Sequence, residues 1–356
     1  MRVAKLVTIN CLVFLMLLVV LEGAISILMV VGKATDEYLP LPSVNDVYLS
    51  LPMYQDSPEA REYWDEFRLS SKQEYVDYLG WRRSDYRGKY INIVDGHRKT
   101  PTNVRQEGQV IAVFGGSTVW GTGVRDSETI PSWMASKIGG KFRVLNFGEA
   151  GYVAFQGLLS FYEALRDNQP IRHAIFYDGL NDAYSACVNP GRDWSTINFY
   201  QMKEKIEHQK GSGLRIVLLA KYINRYIRKP RSKMTYRCDD EQEASNAARV
   251  MVRTWSTIQD IADKSGVKSH FVLQPVSYVD NADVSYLEID QTMASSFQNF
   301  YKYVDIHSRE MGIIHYYNLS KIFSGTSARH YIDFAHVIGD ANREIAEAIF
   351  SRMELQ

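Results

Sequence analysis

The sequence predicts an α/β protein built on a parallel sheet of five strands, with helices on both faces. Two observations carry this. Five short apolar runs, Val110–Phe114, Arg143–Phe147, Ala174–Tyr177, His270–Leu273 and Ile313–Tyr317, alternate with longer stretches of helical period. Those stretches are Ile130–Ile138, Phe155–Arg166, Ala247–Lys264, Met293–Glu310 and Asp340–Met353. Alternation of this kind favours parallel pairing, because each crossover helix returns the chain to the same end of the sheet. The second observation is the first run itself, Val-Ile-Ala-Val-Phe, which carries no charge and stops at Gly115-Gly116. Such a run reads as a strand buried on both faces. With 356 residues, 46% of them hydrophobic, the chain has ample material for such a core.

Two segments of different character precede the sheet. From Leu6 to Val31 the chain is almost wholly apolar, about 26 residues, enough to cross a hydrocarbon layer of ~30 Å. Arg2 and Lys5 stand before it and Lys33, Asp36 and Glu37 after it. The bias of basic residues towards the cytoplasmic side predicts a single-pass anchor over residues 1–33, seated in an inner membrane. Everything after it then lies in a periplasm or another extracytoplasmic space. A cleaved signal peptide ending at Gly32-Lys33-Ala34 competes with this, although the apolar run exceeds the ~7–15 residues of a signal core. Glu22 falls within the span, where a carboxylate is costly. Residues 34–108 form a pre-domain rich in aromatics, among them Tyr63, Trp64, Tyr75, Tyr78, Trp81, Tyr86 and Tyr90. A disordered tether would hold few of these, so the segment is expected to pack on the domain that follows. Within it, Tyr90–Val94 reads as a strand and Asp95-Gly96 as a tight turn.

The last domain spans residues 109–356 and carries an insert at about 185–245 in which no strand is evident. Its second half is basic, with Arg215, Lys221, Arg225, Arg228, Lys229, Arg231, Lys233 and Arg237 and no acid among them. That half is either a wall attracting an anionic polymer or lipid headgroups, or a solvated helix face. Cys187 and Cys238 bracket the insert, and in an oxidising compartment they could be bridged. No Cys/His spacing suggests a metal site, and no cofactor motif is present. Lys plus Arg and Asp plus Glu number 41 each, so no net charge points to a nucleic-acid partner.

Ser117 follows the first strand, at the edge where open α/β sheets place their ligand sites. It is either a nucleophile or the capping serine of the next helix. A nucleophile needs a base, an orienting acid and donors for a developing oxyanion. Of the eight histidines only His336 has a carboxylate three residues before it, in Asp333-Phe334-Ala335-His336. This segment follows the fifth strand, and so reaches the same edge as Ser117. Two further loops converge there: Asn146 to Tyr152 after the second strand, and Tyr177 to Asp182 after the third. Gly151 can offer a backbone N–H and Asn181 a side-chain N–H, although each is individually a common turn residue.

In this order the parts resemble the SGNH (GDSL-like) hydrolase family. The blocks are Gly115-Gly116-Ser117-Thr118 with Gly121, then Gly151, then Gly179-Leu180-Asn181-Asp182, then Asp333-x-x-His336. The resemblance covers roughly Gln109 to the C-terminus. It departs from the family's motif at Gly116, where that motif has Asp. No Gly-x-Ser-x-Gly elbow of the α/β-hydrolase kind is present. The resemblance implies a flavodoxin-like three-layer α/β/α sandwich, free of metal and cofactor, acting on esters through an acyl-serine. Ser117, Asp333 and His336 would be the triad, and Ser117, Gly151 and Asn181 the oxyanion donors. Location outside the membrane makes O-acyl groups of cell-surface or exported polysaccharide the expected substrate. The alternatives are a polysaccharide O-acyltransferase using the same triad, and a non-catalytic assembly or binding protein on the same scaffold.

Overall fold

The computed structural model describes residues 5, 6, 8–10, 12–24, 44–55, 57–104, 107–188 and 236–353. From Tyr48 onward the described residues form one compact unit, and those before Tyr48 belong to another. In the latter, residues 12–24 are helical. Among the described residues no helix is long and apolar enough to cross a membrane. The spanning helix expected over Leu6–Val31 lies partly outside them, at residues 7, 11 and 25–31.

Five strands make the central sheet: β1 (Val110–Gly115), β2 (Arg143–Gly148), β3 (Ile171–Asp178), β4 (Lys268–Leu273) and β5 (Tyr316–Asn318). Their order is β5-β4-β3-β1-β2, and every neighbouring pair is parallel. Among the described residues five helices cover it: α1 (Ile130–Ile138), α2 (Ala154–Arg166), α3 (Glu241–Lys264), α4 (Ala294–Glu310) and α5 (Gly339–Phe350). Strand residues alternate between the two faces. Val110, Ala112 and Phe114 of β1 join Phe161 of α2, Trp255 of α3 and Phe300 of α4. Ile111 and Val113 join Met134 of α1 and Ile345 of α5 on the other side. The result is a three-layer sandwich in the doubly wound order 2-1-3-4-5. Its winding reverses between β1 and β3, where loops diverge and leave a crevice. On one face Phe147, Phe114, Phe176 and Phe271 stack across four strands, with ring centroids 4.9, 5.0 and 5.6 Å apart.

Several boundaries differ from the sequence expectation: β3 begins at Ile171 and not Ala174, β4 at Lys268 and not His270, and α3 at Glu241 and not Ala247. The fifth strand begins at Tyr316, not at Ile313. Gly312 and His315 pass through the left-handed region, with φ of 64° and 51°. The Ile313 N–H turns back to the Ser308 carbonyl at 3.0 Å, so these residues close α4 rather than start a strand. The insert also ends earlier than residue 245, because α3 begins at Glu241. Asp240 caps it by accepting the Glu243 N–H at 2.9 Å. Of its basic run, Arg215 to Lys233 lie outside the described residues; Arg237 pairs with Glu243 at 3.0 Å. Cys187 and Cys238 are joined by a disulfide, buried in the core beside Ala183 and Ala244.

Residues 48–104 pack on the sheet domain through an aromatic cluster. Tyr63, Trp64, Tyr90, Ile91 and Ile93 bury against Trp120 and Ile332. The strand of this segment is shorter than expected, Asn92–Val94, and pairs with His97–Arg98. Asp95 and Gly96 turn the hairpin with φ of 54° and 71°, the paired positive values that suit a two-residue turn. Arg98 is wholly buried. Its Nε donates to Asp126 at 2.8 Å, and its other nitrogens donate to the carbonyls of Trp120, Gly121 and Val124 at 3.1, 2.6 and 2.7 Å. A buried guanidinium is tolerated only when its donors are used in this way.

Candidate active site

β1 delivers Ser117 to the crevice. At Gly115, with φ 156°, a Cβ would lie 2.5 Å from the Tyr177 carbonyl of the neighbouring strand. Gly116 then caps the short helix Ser117–Trp120. Its φ of −85° suits any residue, but a Cβ there would lie 2.2 Å from Asn181 Nδ2. A side chain at this position would therefore have to displace the Asn181 amide, while the backbone itself would accept one.

The loop after β5 brings Asp333 and His336 to the same place. It folds back on itself, with Tyr331 bridged to Val337 and the Ile332 N–H donating to the His336 carbonyl at 2.9 Å. Asp333 Oδ1 accepts the N–H groups of Ala335 and His336, both at 2.8 Å. Asp333 Oδ2 accepts His336 Nδ1 at 2.7 Å and the Tyr48 hydroxyl at 3.0 Å. His336 Nε2 lies 2.7 Å from Ser117 Oγ. Because Nδ1 faces a carboxylate it carries the proton, which leaves Nε2 free to accept from the serine hydroxyl. Burial alone would push the Asp333 carboxyl up; the adjacent imidazole and the donated hydrogen bonds outweigh it and hold the group below the usual carboxylate range.

Asn181 sits in the short helix Leu180–Ala183 after β3, and its Nδ2 donates to the Tyr152 carbonyl at 2.8 Å. Gly151, with φ 80°, immediately precedes that carbonyl in the loop after β2. The loops carrying Ser117, Gly151 and Asn181 thus meet at one point, with the Asn181 amide between Gly116 and Tyr152. Two carboxyls, the buried Asp178 and the half-buried Asp182, brace the Asn181 turn. Asp178 accepts the Trp255 indole N–H at 2.9 Å, and Asp182 accepts the Ala154 N–H at 3.1 Å. Burial raises both above the usual range, and the neighbouring Asp182 raises Asp178 further.

All five residues singled out in the sequence are placed at this edge, with Ser117, His336 and Asp333 in a continuous relay. Two neighbours had no sequence signal. Tyr48 reaches Asp333 across 285 positions of chain. Gln274, just past β4, accepts from the Thr118 hydroxyl at 3.4 Å. Among the described residues no group of His, Cys, Asp and Glu is arranged to hold a metal ion.

Of the groups the SGNH resemblance names, Ser117, His336 and Asp333 are linked by hydrogen bonds. No family model matches the chain, and no curated protein does. Solved structures are similar to it in layout. One is an acetyl xylan esterase, AlAXEase, at 13% identity, covering 68% of this chain and 98% of that one, with a TM-score of 0.40. Another is a member of the lipolytic protein G-D-S-L family from Veillonella parvula DSM 2008, at 12% identity, covering 70% and 100%, TM-score 0.39. A third is Est24, a carbohydrate acetylesterase from Sinorhizobium meliloti, at 11% identity, covering 69% and 98%, TM-score 0.39.

Proposed function

We propose that this protein is a serine esterase of the SGNH type that removes O-acyl groups, acetyl foremost, from a cell-surface or exported polysaccharide. The relay Ser117–His336–Asp333, with both links at 2.7 Å, carries the reading. In the proposed reaction Ser117 Oγ attacks the ester carbonyl as His336 Nε2 takes its proton. Asp333 holds the ring with Nδ1 towards itself and stabilises the imidazolium that forms. The tetrahedral oxyanion is held by donors from Ser117, Gly151 and Asn181. His336 then protonates the leaving alcohol, and water resolves the acyl-serine by the same steps in reverse.

The location rests on two supports. Residues of the N-terminal helix are apolar and exposed, with Leu12 60%, Phe14 62% and Val19 72% accessible, a surface suited to lipid. The Cys187–Cys238 disulfide suits an oxidising compartment such as a periplasm. A single-pass anchor with the enzyme domain outside the membrane accounts for both, and places acylated glycans within reach.

The test is release of acetate from a panel of acetylated polysaccharides, beside turnover of a small chromogenic acetate, with Ser117→Ala as control. Acetate release that vanishes in the variant supports the reading. Transfer of the acyl group to added sugar in preference to water would make the protein an O-acyltransferase. Absence of any turnover in folded wild-type protein would leave a non-catalytic scaffold.

A further inference from the structure

We infer that Tyr48, from the segment ahead of the sheet domain, is a positioning residue of the relay, setting the orientation and basicity of His336 through Asp333. The inference rests on the proposed triad and extends it to a part of the chain outside the sheet domain. Among the described residues Asp333 accepts four hydrogen bonds. Three come from Ala335 and His336, within its own turn; the fourth comes from Tyr48, at 3.0 Å. Tyr48 and His336 Nδ1 share one oxygen, Oδ2. The tyrosine hydroxyl therefore draws charge from the oxygen that stabilises the imidazolium, and fixes that oxygen in place.

The donor is itself held rigidly. The Tyr48 ring stacks on Trp64 with centroids 4.1 Å apart and planes 4° from parallel. Trp64 is fully buried and packs edge-on against Tyr54 and Phe67 at 5.9 and 5.3 Å. Burial, and then the charge of Asp333, push the Tyr48 hydroxyl far up, so it stays a neutral donor at any working pH. Other titratable groups face this cluster. Tyr54 and Tyr278 feel the Asp333 charge, Tyr63 faces Tyr48, and Glu128 faces Tyr54. Burial keeps the three tyrosines neutral, so none adds a charge beside Asp333. Their hydroxyls bond elsewhere: Tyr54 donates to the Gly123 carbonyl, Tyr63 accepts the Gly123 N–H, and Tyr278 donates to the Asp290 carbonyl.

Tyr48→Phe keeps the ring stack and removes the donor. The carboxylate then stabilises the imidazolium more strongly, and His336 titrates at higher pH. In the full chain, the acidic limb of kcat/KM for a small acetate should move up by about 0.5–1 pH unit. The plateau should fall by less than the ~10²–10⁴-fold that general-base catalysis is worth. Tyr54→Phe, which loses a bond to the Gly123 carbonyl and none to Asp333, should leave the limb in place. The decisive measurement needs no turnover: the His336 titration followed by NMR in Ser117→Ala and in Ser117→Ala with Tyr48→Phe. A midpoint raised by the second change supports the inference, and equal midpoints in two folded proteins overturn it. If the wild type hydrolyses no ester, the proposed function falls while this comparison still reads out.

Discussion

Gly116→Ala should disable the site while leaving the fold intact. The new Cβ would lie 2.2 Å from Asn181 Nδ2, and its other neighbours, Asn181 Cγ and the Tyr152 carbonyl, are at an ordinary 3.5 Å. To reach normal contact the amide must retreat by about 1 Å, which breaks its 2.8 Å bond to Tyr152 and moves it from its proposed oxyanion position. Loss of one oxyanion donor costs ~10²–10³ in turnover. It should appear in kcat with little change in KM, because the donor acts on the transition state. Stability should barely move. The lost hydrogen bond costs about 1 kcal/mol; replacing Gly by Ala at φ −85° returns about 0.4–1 kcal/mol by restricting the unfolded chain. The assay is a double-mutant cycle with Asn181→Ala on a chromogenic acetate. If the methyl acts through the amide, Gly116→Ala should cost less than about threefold once Asn181 is Ala. Additive losses in the double variant would refute the argument, since the methyl would then act by another route.

Three further outcomes are expected. Ser117→Ala should lower esterase turnover by ~10⁴–10⁶-fold with an unchanged melting temperature, because triad members act as a unit; a variant retaining most activity would remove the serine from the mechanism. Replacing Cys187 and Cys238 by Ser should destabilise the protein by up to about 4 kcal/mol, the chain-entropy value for a separation of 51 residues; denaturant midpoints that match the wild type would contradict it. Acid should unfold the protein through a buried chain far from the site, in which His173 Nδ1 meets His270 Nε2 at 3.1 Å and His270 Nδ1 meets the Tyr317 hydroxyl at 2.9 Å. Burial depresses the two imidazoles to about 4 and about 3. Their unfolded values lie near ~6.5, so the unfolded chain binds more protons below that pH. The stability they contribute is present above about pH 6.5 and is lost as pH falls towards 4. His270→Gln should flatten this part of the stability profile, and an equally steep decline in the variant would assign the acid sensitivity to other groups.

The layered architecture was legible because its signals are local. Helix α1 was bounded in the sequence at the residues where the structure bounds it. Thr129 caps it by accepting the Ser132 N–H, and Gly139, with φ 63°, takes the left-handed exit. β1 was evident because a strand buried on both faces must be apolar throughout and needs glycines where it turns. Three of the site groups were legible for the same reason, since Ser117, Gly151 and Asn181 each sit just past the end of a strand; Asp333-x-x-His336 was legible by its own spacing, within the longer loop between β5 and α5. The fifth strand was misplaced by three residues because an edge strand of three residues has little pattern, and the helix closure before it uses isoleucine as readily as a strand does.

What only the tertiary structure decided are contacts between residues far apart in the chain. The sequence alone determined the residue types and their order: a serine after the first strand, an asparagine after the third, Asp-x-x-His after the fifth. It did not set Asn181 against Gly116. Nor did it join Tyr48 to Asp333, or close the 51-residue disulfide. Periodicity and capping are short-range chemistry that a few neighbouring residues specify. A hydrogen bond across 285 positions exists only because two packed surfaces bring its partners within 3.0 Å, and nothing in the local sequence of either partner records that the other is there.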